Sequence, residues 1–379
     1  MGRMMINATT TAPLSPAALP DEGSKAAIRC ERAAAELRYG RPVLIRGDDG
    51  ETLAALALDA ADRPAYEAFA SALADRHELY LTTPRAAVLG LAAPTGALVP
   101  LGGVGFAEAC HLGYLRGAFR LGNWRAGSPL ESEAAAAARL ALLLPAMVCG
   151  RIRPDHPAFG DAVALEIGDL EAANLAELGR FEVVARTEVP LKGIEAAEFV
   201  IFRGGLAQRD QVAIVVGDPD RRRPVPVRVH SSCITGDLFG SLKCDCGDQL
   251  RNGLKTLEEK GGGVLIYLDQ EGRGTGIAAK MRAYGLQGAG LDTIDADAEL
   301  GFGADERRYE TAAAMLSGLD ITRVDLLTNN PLKVAYLRAC GIEVVSRTPV
   351  LGPLTAQNTG YLKTKAKRGG HLLDQLFDG

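Results

Sequence analysis

The chain has 379 residues, 47% hydrophobic and 23% charged. These are the proportions of an ordinary soluble globular protein with roughly two to three domains at about 150 residues each, and they exclude a disordered chain, a collagen-like fibre or a disulfide-held mini-protein. The net charge is −5, yet from Lys192 onward 24 basic residues balance 24 acidic ones, so the deficit sits in the first half and neither half has the positive excess expected of a nucleic-acid binder.

Residues 1–23 are rich in Thr, Ala and Pro and read as a disordered leader without the basic start and apolar run of a signal peptide. Apolar positions at helical spacing predict a helix over 26–38, ended by Gly40, and Pro42-Val43-Leu44-Ile45 reads as a buried strand. Further helices are expected over 63–73 and 131–144, with a strand entered at Pro145-Ala146-Met147-Val148. The most apolar stretch, Ala134 to Cys149, contains Arg139 and Pro145 and falls short of the roughly 20 residues that cross a bilayer, so no membrane partner is expected. Another helix is placed over 170–178, and the domain boundary between Gly168 and Val189.

The second half alternates strands (211–216, 225–229, 264–268, 324–327, 342–345) with helices (249–259, 277–286, 306–316, 332–340). This predicts an α/β fold with mixed, partly parallel sheets covered by helices, in two domains. The expected division is a leader (1–23), a first domain (24–170), a connecting segment (171–188) and a second domain (189–379).

Three of the seven cysteines, Cys233, Cys244 and Cys246, fall within 14 residues. Thiolates are good zinc ligands, and three on short loops occupy three corners of a tetrahedron. Three ligands with an open position is the catalytic arrangement, in which bound water is acidified toward neutral pH; a closed Cys3His site using His230 is the alternative. The odd cysteine count without a secretory signal fits reduced thiols in a cytoplasm. Gln270-Glu271-Gly272-Arg273-Gly274-Thr275-Gly276 lies between a strand and a helix, where glycines allow backbone N–H groups to approach an anion, though standing alone it reads as a tight strand-to-helix turn. Thr328-Asn329-Asn330-Pro331-Leu332-Lys333 follows a strand and opens a helix at Pro331, where α/β sheets tend to bind ligands. Asp305 is placed before a helix, as an N-cap or as one half of an acid–cation pair with Arg307.

The strings around Arg228-Val229-His230-Ser231, Cys233 to Asp237, Ser241 to Gly247, Gln270 to Gly274, Asp305-Glu306-Arg307 and Leu326 to Pro331 resemble, in order, the motifs of GTP cyclohydrolase II, over about 189–373. The resemblance implies opening of the GTP imidazole ring at the first committed step of riboflavin synthesis, with release of formate and pyrophosphate. It implies zinc held by Cys233, Cys244 and Cys246, one ion per subunit, and magnesium with the triphosphate. Contacts to GTP are implied for Arg228, Val229, His230, Ser231, Ser232, Gln249, Glu271, Gly272, Arg273, Thr293, Thr328 and Lys333. Asp305 is implied as the proton acceptor and Arg307 as the nucleophile, although a guanidinium stays protonated and suits transition-state charge stabilisation better. Tyr267 and Tyr284 are available for stacking or for a water near the metal. The family commonly reads His-Ser-Glu-Cys, and Ser232 replaces that Glu here. A cytoplasmic homodimer is expected.

The first half resembles, more faintly, 3,4-dihydroxy-2-butanone 4-phosphate synthase, through Arg38 to Ile45 and Glu133 to Val148. That family's acidic run, its Gly-His-Thr-Glu and its Cys-Glu stand here as Arg46-Gly47-Asp48-Asp49-Gly50-Glu51, Leu130-Glu131-Ser132-Glu133 and Cys149-Gly150. Without those acid–base groups the sugar rearrangement cannot run, so the domain is expected to be an inactive scaffold. Two rival readings are a relative that acts on another substrate or stops at a formylated intermediate, and a zinc-containing nucleic-acid-binding module.

Overall fold

The structure, a computed structural model, describes residues 21–117, 122–206, 210–373 and 376–377. The expected leader lies outside the described residues up to residue 20. Residues 21–23, expected to belong to that leader, open the first helix instead: Asp21 caps Ser24 N, and a helix spans Glu22–Arg38.

Seven strands form the first sheet: β1 (Val43–Arg46), β2 (Thr52–Ala57), β3 (Glu78–Leu81), β4 (Ala97–Pro100), β5 (Arg125–Ala126), β6 (Met147–Ile152) and β7 (Ala164–Glu166), in the order β5-β4-β3-β6-β2-β1-β7. All neighbours are antiparallel except β1 and β7. Strand β2 is a departure from expectation. Thr-Leu-Ala-Ala-Leu-Ala carries little β-propensity, and its extended state is set by pairing with β1 on one side and β6 on the other. Helices Glu22–Arg38 and Pro129–Leu140 pack on one face, and Arg63–Ala72 and Phe106–Tyr114 on the other.

The second sheet contains β8 (Glu182–Glu188), β9 (Ala197–Arg203), β10 (Gln211–Gly217), β11 (Val225–Ser231), β12 (Gly262–Leu268), β13 (Arg323–Leu327) and β14 (Glu343–Thr348), in the order β14-β13-β11-β12-β10-β9-β8. Strands β11 to β14 run parallel to one another, and β8, β9 and β10 add an antiparallel edge. The expected mixed α/β architecture is therefore present. Segment 171–188 is not a free connector: helix Asp169–Leu178 packs on Glu22–Arg38, and β8 already belongs to the second sheet.

The two halves meet through buried groups. Arg85, on helix Thr83–Val88, bonds the carboxylate of Glu299 and its carbonyl oxygen at 3.1 Å. The Thr82 hydroxyl donates to Gly301 O at 2.7 Å, and Arg282 pairs with Asp59 at 2.5 Å. Leu144 packs among Ala279, Ala283, Ala296, Leu300 and Phe302. This junction holds helix Thr293–Glu299 and the segment after it, which carries Asp305 and Arg307.

Candidate active site

Strand alternation distributes the chemistry. Along β11, Val227 and Val229 enter the core, while Arg228 and His230 point to the opposite face. With β11 and β13 parallel, their carboxyl ends lie side by side, and the segments after them line one cavity. Ten of the expected residues line it: Arg228, His230, Ser231, Cys246, Gln249, Arg273, Asp305, Arg307, Thr328 and Lys333.

The charge pairing within this cavity is uneven. Arg273 is paired with Asp297 at 3.2 Å, Arg307 with Asp305 at 2.8 and 2.5 Å, Lys365 with Asp245 at 3.2 Å, and Arg368 with Asp292 and Asp295. Arg228 and Lys333, both buried, have no carboxylate partner among the described residues. Lys333 Nζ donates only to Val229 O at 2.8 Å, and Arg228 donates to Leu327 O at 3.0 Å and Gln249 Oε1 at 2.7 Å. Burial, then the neighbouring cations Arg307 and Arg228, pushes Lys333 well below the usual lysine range, and burial pushes Arg228 down to about 10. Two buried cations without a directly bonded carboxylate, with Arg228 Nε and Ser231 Oγ lacking partners among the described residues, suit a pocket for an anion.

Arg273 sits in the left-handed region at φ 63°, an uncommon conformation for a non-glycine residue, and its guanidinium also reaches Ala304 O at 3.1 Å. Asp305 does not cap a helix as expected. The helix begins only at Glu310, and Asp305 instead accepts from Arg307 N at 3.1 Å in a tight turn that aligns the bidentate pair. Burial pushes the Asp305 carboxyl up, but the bonds from Arg307 outweigh it and leave the group below its ordinary value.

The three cysteines gather beside this cavity, and Cys246, first residue of helix Cys246–Glu259, lines both. Their sulfur atoms lie within 4.8 Å of one another, with Cys233 Sγ 3.7 Å from Cys244 Sγ. Hydrogen bonds from Cys244 and Cys246, and then from the Lys280 ammonium at 3.0 Å, push Cys233 far below the usual thiol range. Three thiols able to converge on one point, one of them with its pKa depressed by the other two and by a lysine ammonium, fit a zinc ion. His230 is not a fourth member. Its Nε2 donates to Asp237 at 3.1 Å, its ring stacks on Tyr267 at 5.6 Å, and burial lowers its pKa.

Asp237 is a hub that sequence reasoning did not single out. It also accepts from Cys233 N and the Tyr267 hydroxyl, both at 2.9 Å. Gly236 closes the turn: a Cβ there would lie 3.0 Å from Cys244 Sγ and Cys246 Cβ, and 3.1 Å from Cys233 Sγ. Gly236→Ala is therefore expected to weaken zinc binding about tenfold or more. Competition with a chromogenic chelator reads this directly, and an unchanged affinity would show that the loop yields.

The other expected residues lie outside the cavity lining. Val229 offers only its carbonyl, Thr293 opens the helix next to Ile294, and Tyr284 lies under Lys243 with the ammonium 4.8 Å from the ring centroid. Glu271 accepts from Ile234 N, Gly272 N and Lys280, and so braces the cysteine loop. Ser232 N donates to Leu268 O, while its hydroxyl has no partner among the described residues.

Clustered thiols next to a cation-lined cavity, at the carboxyl ends of parallel strands, define a metal-assisted enzyme for a phosphorylated ligand. Residues 182–349 match the family described as GTP cyclohydrolase II. The chain is 56% identical over 355 residues to GTP cyclohydrolase-2 of Xylella fastidiosa strain 9a5c, covering 93% of this chain and 89% of that one. It is 39% identical over 376 residues to GTP cyclohydrolase-2 of Azospirillum brasilense, covering 94% and 96%. With the riboflavin biosynthesis protein RibBA of Bacillus cytotoxicus it shares 47% identity over 173 residues, 46% of this chain and 44% of that one. The chain belongs to the GTP cyclohydrolase II family.

Proposed function

We propose that the second half, 189–379, hydrolyses GTP to 2,5-diamino-6-ribosylamino-4(3H)-pyrimidinone 5′-phosphate, formate and pyrophosphate, as the first step of riboflavin synthesis. The observation that carries this reading is the three-thiol cluster beside a cavity whose deepest cations, Arg228 and Lys333, lack carboxylate partners among the described residues. These two anchor phosphate without breaking an existing ion pair. Cys233, Cys244 and Cys246 would hold one zinc per subunit, which would supply Lewis acidity for attack of water at carbon 8 of the purine.

Arg307 acts as a cation rather than a nucleophile. Burial opposes its charge, but the bidentate bond with Asp305 overrides this and raises its pKa further, so the guanidinium has no free electron pair. Its movement toward a phosphate group removes the interaction that depresses Asp305, and burial then makes that carboxylate a better proton acceptor. Magnesium accompanies the triphosphate as its counter-ion.

The first half serves as a scaffold. At the synthase-like positions, Glu131 is fully buried and tied to Arg151 at 3.2 Å and Ser128 N at 2.8 Å. A Cβ at Gly150 would lie 2.6 Å from Leu73 Cδ1, so a side chain at the position of the family's glutamate would have to displace the Leu73 side chain. A homodimer is supported by exposed Ile234, Leu238, Phe239 and Leu242 on the cysteine loop, with Ile277 and Met281 exposed on helix Ile277–Gly288. No helix of the described residues is long and apolar enough to cross a membrane, in keeping with a cytoplasmic enzyme.

Incubation of the zinc-loaded protein with GTP is expected to yield formate, pyrophosphate and the diaminopyrimidine in equal amounts. A formylated product alone would favour the related-cyclohydrolase reading. Salt-sensitive RNA or DNA binding without turnover would favour a nucleic-acid module. Dihydroxybutanone phosphate formed from ribulose 5-phosphate would overturn the scaffold role of the first half.

A further inference from the structure

Helix Thr359–Lys367 and the residues after it lie beyond the 182–349 region matched to the family, yet they form a wall of the cavity. The cavity holds about 180 Å³, less than the ~300 Å³ at the lower end for small-molecule sites. The C-terminal wall is fastened at its edges, by Arg368 to Asp292 and Asp295 and by Leu372 N donating to Asn329 O at 2.9 Å.

Its cation facing inward is Lys365, whose side chain is 13% exposed and whose Nζ lies 3.2 Å from Asp245. Asp245 is shared: its other oxygen accepts from Gln249 Nε2 at 2.5 Å, and Gln249 Oε1 accepts from Arg228 at 2.7 Å. A continuous polar chain thus runs from the C-terminal wall to the unpaired Arg228. Lys365 has a flexible stem and three donors, so its ammonium can turn from a carboxylate to a phosphate oxygen within the same small space, while Asp245 keeps its bond from Gln249.

We propose that Lys365 is a phosphate-binding residue of this site, held on Asp245 when the cavity is empty and transferred to the polyphosphate when it fills. The inference rests on the proposed nucleotide reading and extends the site past the matched family region. Binding of inorganic triphosphate by calorimetry tests it independently of turnover, alongside KM for GTP and zinc content. Lys365→Met is expected to weaken triphosphate binding and raise KM about tenfold or more, with zinc content retained. Lys365→Arg is expected to recover most of the affinity, and Lys363→Ala, exposed on the same helix, to leave both unchanged.

Unchanged triphosphate affinity in Lys365→Met would overturn the proposal. So would loss of zinc in parallel with affinity, because Asp245 lies between two cysteine ligands and Lys365 would then only position that loop. If the wild type bound triphosphate through Lys365 but did not turn over GTP, the GTP reading would fail and the phosphate contact would stand. A wild type that bound no triphosphate would overturn the contact itself.

Discussion

Cys244→Ser is expected to abolish GTP turnover at limiting zinc. A zinc site formed from four ligands contributes about 10–16 kcal/mol, so one ligand is worth about 3–4 kcal/mol, a factor of ~10²–10³ in affinity at 1.4 kcal/mol per decade. A serine hydroxyl is nearly isosteric with the thiol but stays protonated at neutral pH, and zinc prefers the softer thiolate. The substitution also alters the contact that contributes most to lowering the Cys233 pKa, since Cys244 Sγ lies 3.7 Å from it. Folding should survive, because the 233–246 loop is braced separately by Asp237 and by Glu271 bonding to Ile234 N. Metal analysis and turnover across a zinc titration check the expectation: activity should return only at zinc concentrations far above those that saturate the wild type. Full turnover by metal-free Cys244→Ser protein would sink the role of the cysteine cluster.

The contrast between these residues and the rest of the site shows what a sequence can reveal. Cys233, Cys244 and Cys246 were legible because their ligand atoms are brought together by one short loop, so spacing alone carries the geometry. The alternation of Val227, Arg228, Val229 and His230 was legible because period two is imposed by the strand itself, and Asn330 before Pro331 because capping is local, with the Asn330 side chain accepting from Leu332 N at 3.0 Å. Lys280 on Cys233 and Lys365 on Asp245 were not, since 47 and 120 residues separate the partners and a lysine on a helix ordinarily reads as a solvated charge. Helix Glu310–Gly318 was placed four residues too early, because Asp305 satisfies the local cap pattern while its carboxylate is taken by Arg307. Strand β2 was missed because pairing on both edges overrides an alanine-leucine composition. What remained hidden is tertiary pairing, and the widest instance joins the two halves of the chain.

Arg85→Ala is expected to damage catalysis from the opposite half of the molecule. The Arg85 side chain is 1% exposed and spends every donor: Nε on Leu112 O at 3.0 Å, one terminal nitrogen on His111 O and Leu115 O, the other on Glu299. Burial lowers its pKa, and the Glu299 carboxylate opposes this. Removing the guanidinium leaves Glu299 as a nearly buried carboxylate without its partner, a change that costs about 3–5 kcal/mol. Glu299 ends the helix that carries Asp297, the partner of Arg273, and Gly301, held by Thr82, lies four residues before Asp305. A displacement near 1 Å in this segment is enough for a ~10²-fold loss of rate. The expected result is therefore a lower melting temperature together with a fall in kcat of about that size, at wild-type zinc content and with a smaller change in KM. Arg85→Lys should rescue little, since an ammonium keeps the charge but cannot reach carbonyls from both halves at once. A lowered melting temperature with unchanged kcat would mean that the first half stabilises the chain without positioning Asp305 and Arg273. A matching loss of kcat in Glu299→Gln, non-additive with Arg85→Ala, would identify the buried pair as the element through which the first half acts on the cyclohydrolase site.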